Sequence, residues 1–129
     1  MRQKFSSEFT LQPKNIIINT IDEQFLNKAI QVIEDNMEDP AFGVQVLSTN
    51  MTMSQPVLYK KIKALTDMSV NDFIKSIRLK KAAQLLQQGG LTIYEIAYMV
   101  GYSDRKYFSK EFKKQFGSTP SEYPPSPSM

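Results

Sequence analysis

Apolar positions recur at helical spacing in one segment of this chain after another. Leu26, Ala29, Ile30, Ile33 and Met37 follow the 3.6-residue period, with Phe25 and Val32 flanking. Thr20 followed three residues later by Glu23 is a capping-box pattern, which predicts a first helix from about 23 to 38. Its outer positions Glu34, Asp35, Glu38 and Asp39 are acidic, and Asp39-Pro40 ends it. Val70 to about Gln88 forms a long helix with two offset stripes. Val70, Phe73, Ile74 and Ile77 make one, and Leu79, Ala82, Ala83 and Leu86 the other. Ser69 with Asp72 caps its start, and Gly89-Gly90 stops it. Thr92 with Glu95 opens a short helix whose Ile93, Ile96, Ala97 and Val100 share a face. After Gly101, Ser103 or Asp104 caps a last amphipathic helix. Phe108, Phe112 and Phe116 point inward there, and Arg105, Lys106, Ser109, Lys110 and Lys113 lie opposite.

A short helix, a tight turn and a helix with a cationic outer face describe a helix-turn-helix shaped for a DNA major groove. Gly101 stands where the turn needs a residue tolerant of positive φ. The same design occurs earlier in the chain. Gly43 to Asn50 reads as a positioning helix, with Val44, Leu47 and small Ser48 in the places of Ile93, Ile96 and Ala97, 49 residues later. Thr52 falls where the second motif has Gly101, at a strain of about 1 kcal/mol if φ is positive. Ser54 caps the next helix, with Pro56 tolerated in its first turn. Leu58, Ile62 and Leu65 face inward, while Pro56, Tyr59, Lys60 and Lys63 face outward. At an offset of 50, Leu58 matches Phe108, Lys60 matches Lys110, Ile62 matches Phe112 and Lys63 matches Lys113. Asp67 ends this helix and can visit the left-handed region. Thr119-Pro120 is expected to restart a short helix through Tyr123, which makes about seven helices in an all-α chain.

The charge balance adds to this picture. The 129 residues carry a net +3, split as −3 over residues 1–49 (four Lys/Arg, seven Asp/Glu) and +6 over residues 50–129 (twelve and six). The basic part coincides with the two motifs, which suggests a polyanionic partner. The acidic face of the first helix would be repelled by phosphates and is placed away from them. There is no cysteine and no histidine. Disulfides, His- or thiolate-ligated metals, and Ser-His-Asp or Cys-His catalysis are therefore excluded. Asp67, Asp72, Glu95 and Asp104 each suit a turn or a helix start, so carboxylate catalysis is not favoured, and no enzymatic role or cofactor is expected. No run approaches eighteen apolar residues, and the N-terminus lacks a signal-peptide core, so a cytoplasmic location is expected.

The I-x-x-I-A-x-x-V-G-Y-x-D pattern of Ile93 to Asp104 resembles the second DNA-binding motif of AraC/XylS-type transcription regulators. So do the run from Tyr107 to Gly117 and Thr119 to Tyr123. The stretch from Ser54 to Thr66 is similar to the family's first recognition helix, with Asp67 where glycine is usual. The resemblance covers about 24 to 123. It implies a domain over residues 22–123 with helix-turn-helix motifs at about 43–66 and 92–116, joined by a connector at about 70–88. Residues 1–21 then read as a linker and 124–129 as a disordered tail. The connector's nineteen residues span roughly 28 Å, against ~34 Å between successive major grooves on one DNA face.

By the same resemblance, Pro56, Tyr59, Lys60 and Lys63 contact bases in the first motif. Arg105, Lys106, Ser109, Lys110 and Lys113 do so in the second. Arg105 is favoured because arginine alone here offers a planar bidentate fork. Lys61 and Lys114 are assigned to phosphates or solvent, and backbone amides near Val44 and Ile93 to phosphates at helix starts. Lys75, Arg78, Lys80 and Lys81 dot the connector and are expected to be largely solvated. The wording from Lys60 to Leu86 looks like the output domain of hybrid two-component regulators, which join a sensor kinase, a receiver and a DNA-binding domain. This implies that the chain is a piece of a longer one, dimerised through other domains, with RNA polymerase as a candidate partner. A helical protein-interaction module without DNA binding is the competing reading. A single-strand or RNA binder would need exposed aromatic platforms, and most aromatics here sit at core spacing.

Overall fold

The computed structural model describes residues 20–123, and among them the chain forms six helices and no strand. They are α1 (Thr20–Asp35), α2 (Val44–Asn50), α3 (Gln55–Thr66), α4 (Val70–Gln88), α5 (Ile93–Met99) and α6 (Arg105–Phe116). α4 begins 50 residues after α1, α5 begins 49 after α2, and α6 begins 50 after α3. The repeat seen in the two motifs therefore extends to the helix before each, so the described residues follow a three-helix plan used twice.

Packing divides the chain into two compact units. Among the described residues, one holds 20–32 with Gly43–Ile74, the other Ile33–Phe42 with 75–123. In the first unit Phe25, Leu26, Ala29 and Ile30 of α1 are buried. So are Leu47 of α2, Leu58 and Ile62 of α3, and Val70, Phe73 and Ile74 at the start of α4. Ser48 is buried as well, and its hydroxyl donates to the Gln45 carbonyl at 3.0 Å, so the small polar group costs little. In the second unit Ile77, Leu79, Ala82, Ala83 and Leu85 of α4 are buried. They are joined by Ile33, Met37, Phe42, Ile96, Ala97, Val100, Phe108 and Phe112.

The two turns share one hydrogen-bond plan. Met53 N–H donates to the Ser48 carbonyl at 3.1 Å, and Tyr102 N–H to the Ala97 carbonyl at 2.9 Å. Both need a left-handed residue, Thr52 (φ 54°) in the first and Gly101 (φ 92°) in the second. Thr52 is exposed and meets the requirement with a Cβ in place, a strained choice for a β-branched residue. Thr52→Gly is expected to raise stability by about 0.5–1 kcal/mol, the relief of strain outweighing the added chain entropy. A chemical-denaturation midpoint checks this, and a lower midpoint would refute it. Asp67 closes α3 at φ 63°, as Gly117 closes α6 at φ 86°.

Three expectations need correction. α1 runs from Thr20 to Asp35 rather than from about 23 to 38, so Thr20 lies inside the helix and is not its cap. Its C-terminal end tightens into three-residue bonds, with Asn36 N–H on Ile33 O and Met37 N–H on Glu34 O. The Asp39 carboxylate then accepts from Ala41 N–H at 2.9 Å and turns the chain, while Met37 stays buried. Leu85 is buried where Leu86 was expected; Leu86 is half-buried. Thr119–Tyr123 makes a single turn, closed by Glu122 N–H on Thr119 O and by Thr119 N–H on the Glu122 carboxylate. Pro124 and Pro125 have no N–H with which to extend it, and the described residues form six helices, close to the expected seven. The linker expected over residues 1–21 falls outside the described residues except for Thr20 and Ile21, which are helical, and the tail at 124–129 lies wholly outside them.

Candidate nucleic-acid interface

In the first unit α3 is set by its cap and its inner face. The Ser54 hydroxyl accepts from Val57 N–H at 3.4 Å, and Pro56 occupies the first turn, where its missing N–H leaves no gap. Leu58 and Ile62 are fully buried, which turns Pro56, Tyr59, Lys60 and Lys63 outward, all exposed. Tyr59 donates to the Gln55 side chain at 3.3 Å. Lys63 reaches its own helix end, with Nζ 3.3 Å from the Asp67 carbonyl and 3.7 Å from its carboxylate. Both side chains are highly exposed, so this pair is weak and easily exchanged for another anion.

In the second unit the Asp104 carboxylate caps α6, accepting from Lys106 N–H at 3.0 Å. Phe108 and Phe112 are fully buried and their rings stand 5.8 Å apart. Phe112 also meets Phe116 at 4.6 Å and the edge of Tyr123 at 5.3 Å. That apolar anchor leaves Arg105, Lys106, Lys110 and Lys113 exposed, with Ser109 half-buried beside them. Lys113 and Lys114 lie in the last turn, where cations suit the helix dipole.

The assigned phosphate contacts fare differently. Lys61 is half-buried, with its amine 5.0 Å from the centre of the Phe25 ring, so it serves the packing of its unit rather than lying in solvent. Lys114 remains exposed, 3.8 Å from Glu111. Val44 and Ile93 are both half-buried at helix starts that differ. Gly43 offers α2 no side-chain cap, whereas α5 has a complete capping box, Thr92 and Glu95 each accepting from the other's backbone N–H. The Glu95 carboxylate at that end opposes a phosphate, which makes the α5 start the poorer anion site.

Two connector residues differ from the expected solvated charges. Arg78 is buried, donating to the Gly101 carbonyl at 3.2 Å and to the Asp39 carbonyl at 2.8 Å. It ties the turn of the second motif to the segment after α1. Desolvation lowers its pKa, and desolvation together with the nearby Tyr107 pushes the Tyr102 phenol well above its ordinary value. Its phase could have been read from the sequence, since Ile74, Arg78 and Ala82 fall at i, i+4 and i+8 and all are buried. Lys75 donates to the buried Glu111 of α6 at 2.9 Å. That hydrogen bond holds the Glu111 carboxyl below its usual range. Nothing local signals a pair 36 residues apart.

Comparison with known proteins agrees with this geometry. The helix-turn-helix domain family matches residues 47–124. An AraC-type transcriptional regulator structure from Chromobacterium violaceum superposes with a TM-score of 0.73 at 26% identity, over 81% of this chain and 93% of that one. The chain belongs to the AraC-type helix-turn-helix family. The C-terminal domain of AraT, a response regulator from Geobacillus stearothermophilus, is similar to this AraC-type chain at 32% identity and a TM-score of 0.69. That likeness covers 77% of the chain and 82% of the AraT domain. Histidine kinase P4 of Formosa agariphila is 46% identical over 123 residues, which is 95% of this chain but 9% of that protein. The chain spans between 9 and 37% of the length of the first curated relatives it matches.

Proposed function

We propose that this AraC-type chain binds double-stranded DNA sequence-specifically in transcription regulation, as the output domain of a two-component signalling protein. One observation carries the reading. Each motif seats its second helix by fully buried apolar residues, leaving Lys60 and Lys63 on α3, and Arg105, Lys106, Lys110 and Lys113 on α6, exposed. The reading gives each recognition helix one major groove. Pro56, Tyr59, Lys60 and Lys63 face bases from α3, and Arg105, Lys106, Ser109, Lys110 and Lys113 from α6. Lys114 meets a phosphate, the backbone near Val44 a second, and that near Ile93 a weaker third. The likeness to a response-regulator domain and to part of a histidine kinase supports the signalling context. In that context the kinase activity, dimerisation and any RNA polymerase contact belong to the longer protein, in the cytoplasm. No helix among the described residues is long and apolar enough to cross a membrane.

Fluorescence anisotropy with random duplex DNA at several salt concentrations tests the reading. Affinity is expected to fall by about 0.9 log unit per log unit of salt for each phosphate neutralised. Salt-independent binding, or none, would favour the protein-interaction module. Once selection from a random duplex library supplies a preferred site, Arg105→Ala is expected to weaken binding there by about 1–3 kcal/mol and relax one base position. Equal losses on preferred and random DNA would make Arg105 a phosphate contact.

A further inference from the structure

Position 111 faces inward on α6 although it carries a carboxylate. Its side chain is 6% exposed, and one oxygen accepts from Lys75 Nζ at 2.9 Å. The other oxygen faces Lys114 Nζ at 3.8 Å, and Lys110 adds a favourable field. Tyr102 also senses this charge. The carboxylate thus lies between one cation on the connector and two on the outer side of the recognition helix. The first half of the repeat has a matching pair. Lys61 stands 50 residues before Glu111, and its partner Phe25 stands 50 before Lys75. The same structural place therefore ties the third helix of each half to its opening helix, through a ring and a cation in one and an ion pair in the other.

We propose that Lys75 and Glu111 are positioning residues for the second recognition helix. By holding the carboxylate at 2.9 Å, Lys75 keeps the pair between Glu111 and Lys114 at a looser 3.8 Å and so leaves Lys114 available to a DNA phosphate. This rests on the DNA-binding reading above and names what governs its phosphate contacts. A carboxylate this sheltered does not stay uncompensated. Without Lys75 it draws in Lys114, already 3.8 Å away and one helical turn on, so that one cation leaves the DNA-facing side.

The test compares salt slopes on random duplex DNA for the 129-residue chain, Lys75→Met, and Lys75→Met with Glu111→Gln. Lys75→Met is expected to lose one phosphate contact. That reduces the slope by about 0.9, a three- to fourfold change in affinity across a fourfold salt range. The double variant, with no carboxylate to capture Lys114, is expected to regain that contact. A double variant as shallow as Lys75→Met would show that Lys75 itself touches phosphate, and the proposal falls. It falls equally if Lys75→Met keeps the parent slope. Should circular dichroism show that Lys75→Met does not fold, Glu111→Gln alone decides, with an equal or steeper slope expected and a shallower one overturning the idea. A parent chain without salt dependence sinks the DNA reading and this proposal with it. A salt-dependent parent with unaffected variants sinks only the proposal.

Discussion

Gly101→Ala is expected to destabilise the fold by about 3 kcal/mol or more, a large share of a small domain's stability. Two separate effects combine. The backbone at Gly101 has φ 92°, where an L side chain is strained by about 1–3 kcal/mol. A Cβ built there would also stand 2.5 Å from the Met37 carbonyl oxygen and 2.6 Å from Nη1 of Arg78. The first neighbour is backbone and cannot swing away. The second is the guanidinium that pairs with the Gly101 and Asp39 carbonyls, so displacing it leaves the buried Gly101 carbonyl without its donor. Thermal and urea denaturation followed by circular dichroism measure the effect. A loss under 1 kcal/mol would mean that the segment after α1 moves aside freely. The contrast with Thr52→Gly is informative, because the same turn position in the first motif holds an exposed side chain and is expected to respond in the opposite direction.

Phe112→Ala is expected to remove about 3–5 kcal/mol, the usual range for a large aromatic lost from a core. Its ring is fully buried and touches those of Phe108, Phe116 and Tyr123. The consequence for function follows from geometry. α6 presents Lys106, Lys110 and Lys113 outward because Phe108 and Phe112 hold its other side. DNA affinity should therefore fall with stability in Phe112→Ala, whereas Lys113→Ala should weaken DNA binding with little change in the unfolding midpoint. Equilibrium unfolding and a duplex titration on both variants separate the two effects. A fully stable Phe112→Ala would contradict the anchor.

The sequence alone determined the helices, most of their ends and the twofold plan. The reason is physical range. A capping box at Thr92 and Glu95, an N-cap at Ser54 or Asp104, and a left-handed residue at Asp67 or Gly101 each act within about one helical turn. The apolar period likewise reads one helix at a time, so it identified the outward residues of α3 and α6. The last turn of α1 and the single turn at Thr119 escaped, because there three-residue bonds and a following proline overrode the pattern. Tertiary structure alone decided which charges are solvated and which are structural. Along the chain Arg78 shows an inward phase but no acceptor, and Lys75 and Lys61 look like surface cations. They acquire partners 23 to 39 residues away in the first two cases, and an aromatic ring in the third, only once the helices pack. A partner from another helix is a property of the assembled core, and no window of neighbouring residues contains it.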